Sequence, residues 1–145
     1  MDLLQVNLLE VQWRVLQTLS TLEMKLARLF PKFIENSKVP VVLSKISPIE
    51  INAITLGPFI FSRGEMSIQT RNHEAIHWEQ YKETLILGFL FLYAVFYIFG
   101  LLKYRSGEMA YYNIPFEREA YDNDSDLGYI FQRKPWSWAR QEEKY

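Results

Sequence analysis

Apolar residues at Leu4, Leu8, Val11, Val15, Leu19, Leu22, Leu26 and Leu29 recur in steps of three and four, the period of one helical face. The spacing predicts one long amphipathic helix over residues 1–31, ended by Pro31, whose ring cannot continue a helix interior. Such a stripe packs against the rest of the chain or against a second copy of it. From Lys38 to Met66 the texture changes to β-branched and aromatic residues interrupted by Pro40, Pro48, Gly57, Pro58 and Gly64. Short strands are expected over 38–66, with "IEINAITL" and "PFIFS" either paired through a Gly57–Pro58 turn or forming one strand bent there.

Residues 72–145 return to helix. A segment beginning around Asn72, capped by Ser67, Thr70 or Asn72, runs into "TLILGFLFLYAVFYIFGLL", Thr84 to Leu102, which carries no charge. As helix this stretch is roughly 28 Å long, close to the roughly 30 Å hydrocarbon core of a bilayer. Lys103, Tyr104 and Arg105 close it with residues typical of a lipid interface. Gly107 breaks the pattern, and Pro115 suits the first turn of a short helix holding Phe116 to Tyr121. A further short helix, a break at Pro135 and an anchor of Trp136 and Trp138 complete the chain, whose last residues fray. The expected fold is mainly α with a small β element, α+β in class, on a single domain spanning 1–145.

Composition narrows the partners. Sixteen basic against 17 acidic residues leave a net charge of −1, no field to gather a polyanion, so nucleic acid is not expected as a partner. The absence of cysteine removes disulfides and thiolate ligands, so a metal site must be built from His, Asp and Glu. "MDLLQVNLLE" lacks the basic start and cleavage pattern of a secretory signal. Aromatics make up 16% of the chain and crowd into the apolar segment, as at a membrane or a large apolar contact surface.

The two histidines of the sequence stand in "RNHEAIHWEQYKE", four residues apart. On a helix, positions i and i+4 share a face, so His73 and His77 can turn ring nitrogens toward one ion, and zinc suits such ligands. Glu74 flanks that ion, where it can act as the general base that takes a proton from an activated water. The chemistry to which this spacing points is peptide bond hydrolysis. A catalytic zinc takes three protein ligands and keeps one position open. With no third histidine the remaining ligand must be a carboxylate. Glu83 lies too far along the motif helix, which leaves Glu108, Glu117, Glu119 and the acids of "DNDSD".

Together "NHEAIHWEQ", the aromatic segment, "AYYNIPFEREAYDND" and the closing "WSW" resemble a small bacterial and phage family of gluzincin-type, membrane-associated zinc metallopeptidases, over about residues 50 to 140. The resemblance implies a zincin-like core of motif helix and glutamate helix, with His73, His77 and Glu117 as zinc ligands and Glu74 as base. Glu117 and Ala120 match the E-x-x-A portion of the family's third-ligand helix. The family's usual Asp after that alanine is replaced by Tyr121, which could donate to a tetrahedral oxyanion or serve in packing.

Two further readings complete the expectations. Asp122, Asp124 and Asp126 alternate as in half of an EF-hand loop, but the glycine falls late at Gly128 and Arg133 stands where a bidentate Glu is required, so helix capping by Ser125 or Asp126 is preferred. A single crossing of a bilayer by Thr84–Leu102 would put His77 and Glu117 on opposite sides, because Lys103–Phe116 cannot return through lipid as extended chain. The sequence therefore predicts an aromatic helix lying in the interface or packed in a bundle, with the chain doubling back near Gly107. The functional expectation is a membrane-associated zinc peptidase acting on a protein or peptide. The alternative is a non-catalytic structural or assembly subunit that binds partner proteins through its N-terminal and aromatic helices.

Overall fold

The computed structural model describes residues 14–15, 31–47 and 49–141. The chain divides into two compact units, Met1–Pro31 and Lys32–Tyr145. In the first, Arg14 and Val15 are described and are helical; the rest of the amphipathic stripe lies outside the described residues, as does the expected fraying after residue 141.

The second unit is mainly helical with a small sheet. Strands β1 (Lys32–Ile34), β2 (Ala53–Leu56) and β3 (Phe59–Ser62) lie in the order β1-β3-β2, with β1 parallel and β2 antiparallel to β3. The β2–β3 pair is a hairpin, not one bent strand: Leu56 pairs Phe59 across Gly57 and Pro58. Gly57 takes φ +59°, a conformation that a two-residue hairpin needs and that glycine adopts without a Cβ penalty. Pro58 has no N–H to lose, and its carbonyl accepts from the Lys32 N–H at 2.7 Å, which fixes β1 against the hairpin.

The strand texture of 38–66 misleads at one place. Val39–Leu43 is a short helix, α1, because Pro40 suits a first helical turn and cannot donate to a ladder. Helix α2 (Ile68–Thr84) starts earlier than Asn72: Ser67 is the cap, its Oγ accepting from the Thr70 N–H at 3.0 Å. Asn72 is free for another task. Nor do the motif helix and the apolar segment run together, since Leu85 breaks them with φ +60° and ψ 162°, a region that costs any residue with a side chain.

Helix α3 (Ile86–Tyr104) then begins in a new direction, which lets Phe89 stack on Tyr81 at 3.9 Å and on Phe116 at 4.5 Å. It ends at Arg105, left-handed with φ +53°, whose N–H returns to Leu101. Ser106 at once caps α4 (Gly107–Tyr112), so the break sits at Arg105 and Gly107 opens a helix. Pro115 starts α5 (Pro115–Asn123) as expected. A short α6 (Tyr129–Gln132) and a 3₁₀ turn (Ser137–Arg140) finish the described chain.

The core forms where α2, α3, α5 and the 3₁₀ turn meet, around Tyr81, Phe89, Ile114, Phe116 and Trp138. Phe116 and Ile114 are wholly buried, each contributing roughly 1.5–3 kcal/mol relative to exposure. Trp138 is the buried anchor, whereas Trp136 stays 47% exposed. Helices α3 and α4 approach so closely that a Cβ on Gly100 would lie 2.9 Å from the Ala110 Cα. Gly100→Ala is therefore expected to destabilise the unit by about 1–3 kcal/mol. Denaturant unfolding measures this, and an unchanged midpoint would contradict the contact.

Candidate metal centre

Helix α2 inverts the usual arrangement, because the residues that it buries are Asn72, His73, Glu74, Ile76, His77, Gln80 and Tyr81, most of them polar. Each needs a partner inside the protein. The i, i+4 spacing puts the two imidazoles together, with Nε2 of His73 and Nε2 of His77 3.2 Å apart. Glu117, in the first turn of α5, faces both: Oε2 lies 3.5 Å from His73 Nε2 and Oε1 3.5 Å from His77 Nε2. One donor atom from each of the three residues falls within 4.8 Å of the others, and all three side chains are buried.

In the metal-free protein one ring can donate to the other across the 3.2 Å between their Nε2 atoms, but Glu117 Oε2 is buried without a hydrogen bond. A cation among the three donor atoms would give that oxygen a partner. The buried His73, His77 and Glu117 group can hold a metal ion, with the donor set of two nitrogens and one carboxylate that suits several divalent metals.

The groups behind these three side chains orient them. His77 Nδ1 lies 2.8 Å from Gln80 Oε1. The Gln80 Nε2 donates to Glu119 Oε2 at 2.9 Å and to the Phe116 carbonyl at 3.1 Å. His73 Nδ1 lies 3.7 Å from Asp124 Oδ2, while Asp124 Oδ1 accepts from Gln69 Nε2 at 2.7 Å. The Tyr93 hydroxyl, on the apolar helix α3, donates to Glu117 Oε1 at 2.8 Å. Metal-binding histidines and carboxylates are commonly oriented by such partners. The Asn72 Nδ2 sits 2.9–3.2 Å from the carbonyls of Asn123, Asp124 and Asp126, closing the end of α5 onto α2.

Glu74 lines the same pocket of about 530 Å³ as His73, His77 and Glu117. The Thr55 hydroxyl on β2 donates to its Oε2 at 2.6 Å. Tyr121 reaches the pocket too, its ring 4.5 Å from that of His73, with its hydroxyl 3.4 Å from that of Tyr111. Burial pushes the Tyr121 hydroxyl up to a pKa of about 12, so it is a protonated donor at neutral pH.

The other acids raised by the sequence lie elsewhere. Glu83 and Glu119 are taken by Arg133, and Glu108 is exposed at the start of α4. Asp126 Oδ1 accepts from the Gly128 N–H at 2.9 Å, an Asx turn leading into α6, and Ser125 donates to Asp124; neither caps a helix. Thr55, Gln80, Tyr93, Asp124, Glu119 and Arg133 were not singled out by the sequence for the parts that they play. Gln80, one turn beyond His77, and Asp124, two turns beyond Glu117, carried a helical-spacing signal; Thr55, Tyr93 and Arg133 carried none.

Burial lowers the pKa of His77, but the facing Glu117 carboxylate outweighs it and raises the imidazole from 6.5 to about 9. Burial raises Glu117, and the His77 and His73 rings more than offset this, holding it well below 4.5. In the metal-free protein the contribution of His77 to stability is full below pH 6.5 and is lost as pH climbs through about 9. That of Glu117 is full above pH 4.5 and is lost as pH falls through its depressed folded value. The pair thus stabilises the metal-free fold most between pH 4.5 and 6.5. A metal ion must displace the His77 proton, so zinc affinity measured by chelator competition is expected to rise from pH 6 toward about 9. A flat profile would show that His77 is not a ligand. The chemistry assigned to this centre rests on its own geometry, because no protein-family model, no curated protein and no solved structure matches the chain.

Proposed function

We propose that the chain is a zinc-dependent, membrane-associated peptidase with a zincin-like core, gluzincin in type because the third ligand comes from a glutamate on a separate helix. The observation that carries this reading is the convergence of two imidazole nitrogens and the Glu117 carboxylate in a pocket that also holds Glu74. Three protein ligands leave a position for water, unlike the four of a closed structural site. Zinc held there would supply a Lewis acid that polarises a carbonyl and makes water acidic enough to lose a proton near neutral pH.

The chain's own residues provide the rest. With Oε2 engaged by Thr55, the Glu74 carboxylate is fixed in orientation and Oε1 can accept the proton of the attacking water, then hand it to the leaving amine. Tyr121, protonated and beside His73, supports a role as donor to the oxyanion of the tetrahedral state. Strand β2 is at one edge of the sheet, and its residues Ala53 to Leu56 line the pocket. An extended peptide adding along that edge would carry its carbonyl past the centre, with main-chain hydrogen bonds giving affinity. The substrate is therefore a peptide or a segment of a protein.

Helix α3 is long and apolar enough to cross a membrane, yet Phe89 and Gly100 are its only buried residues. Leu87, Phe91, Ile98, Phe99 and Leu102 present an exposed apolar face. The reversal at Arg105 and Ser106 brings α4 back against α3, and Phe89 and Tyr93 of α3 meet Phe116 and Glu117 of α5, so the chain returns from the far end of α3 and Glu117 reaches the histidines near its start. This favours a helix seated in the interface over a single span.

Two experiments test the proposal. Glu74→Gln is expected to keep zinc while lowering peptide hydrolysis by about 10²–10⁴-fold. Undiminished hydrolysis would show that Glu74 is not the base, and zinc-loaded wild type without hydrolysis would make the ion structural and the chain a binding subunit. In oriented vesicles, protease sites introduced near residues 70 and 110 are expected to be cut from the same side; cutting from opposite sides would restore a simple span.

A further inference from the structure

Behind His77 a chain of buried polar groups runs away from the metal centre toward the C-terminal segment. We infer that Gln80, Glu119 and Arg133 are positioning residues that decide which nitrogen of His77 faces the ion, and so set the affinity of the centre; this rests on the metal reading of His73, His77 and Glu117. A neutral imidazole carries one N–H and can bind a metal only through its other nitrogen. For His77 to offer Nε2, its Nδ1 must hold the proton and find an acceptor. Gln80 can show either end of its amide, so it does not determine the tautomer alone.

The far end of that amide decides. Gln80 Nε2 lies 2.9 Å from Glu119 Oε2 and 3.1 Å from the Phe116 carbonyl, which are both acceptors. A flipped amide would set its own oxygen against those two oxygens, so the carbonyl stays on His77 Nδ1. Glu119 is 0% exposed, and Arg133 orients it, with Nε 2.6 Å from Oε1 and Nη2 3.1 Å from Oε2, while the Tyr129 hydroxyl adds a donor at 2.8 Å. These donors hold the carboxyl group with Oε2 toward Gln80 Nε2, and the Phe116 carbonyl, which can only accept, faces the same amide nitrogen.

Glu83 holds the opposite edge of Arg133, and it in turn accepts from the Trp138 Nε1 at 3.1 Å and the Trp136 N–H at 3.0 Å. The segment from Tyr129 to Trp138 is therefore part of the metal centre although none of its atoms faces the ion.

Zinc affinity measured by chelator competition in Glu119→Gln, Gln80→Met and the double variant tests the inference. Each single variant is expected to bind zinc about 10–100-fold more weakly, because such supporting contacts typically carry that factor. Since Glu119 acts through Gln80, adding Glu119→Gln to Gln80→Met is expected to cost no further affinity, although it lowers the melting temperature. In zinc-loaded wild type, nitrogen-resolved NMR is expected to show a protected Nδ1 proton on His77. Wild-type affinity in Gln80→Met, or losses that simply multiply in the double variant, would overturn the inference while leaving the centre intact. A wild-type protein that fails to bind zinc would overturn both.

Discussion

Everything in the described unit follows from one helix that buries its polar side. A buried amide, imidazole or carboxylate without a partner costs about 1–3 kcal/mol or more, so α2 can lie in the interior only if other elements bring hydrogen-bonding groups to it. Thr55 on β2 meets Glu74, the carbonyls at the end of α5 meet Asn72, and Glu119 meets Gln80. The sheet, α5 and the C-terminal segment are placed by these obligations as much as by the aromatic core. Between His73, His77 and Glu117 one oxygen, Glu117 Oε2, is left buried without a hydrogen bond, in a group that can hold a metal ion.

This inversion explains what could be read in advance. Hydrophobic periodicity located the apolar helix, the β2–β3 hairpin and the Pro115 helix, because in each the buried groups are apolar or the turn is marked by Gly or Pro. It had no purchase on α2, whose buried stripe is polar; the His-Glu-x-x-His spacing located that helix instead. The His73 and His77 pair was legible because side chains four apart on a helix must meet, whereas Glu117 was singled out from several acids only by the family resemblance. The supporting residues were hidden because Thr55, Tyr93 and Arg133 reach the centre through tertiary packing, about which local pattern says nothing. Composition also misled at Val39–Leu43, where β-branched residues suggested a strand and Pro40 decided for helix.

Helix α3 serves two masters. Its inner face supplies Phe89 to the core and the Tyr93 hydroxyl to Glu117, while its outer face is almost continuously apolar. Left-handed or otherwise strained residues, Leu85 and Arg105, bound it at either end and set its direction independently of α2 and α4. A side chain in that backbone region costs of order 1–3 kcal/mol, so the surrounding packing must hold these two turns in place. The result is a pocket wall made from a helix whose other face is exposed and apolar.

The order of synthesis adds a temporal dimension to the Arg133 clamp. Thr55, both histidines, Gln80, Glu117 and Glu119 leave the ribosome before Arg133 does. The hydrogen bonds by which Arg133 orients Glu119, and through it Gln80, can therefore form only after both of those residues have been made. The packing behind His77 is completed last, by the C-terminal segment.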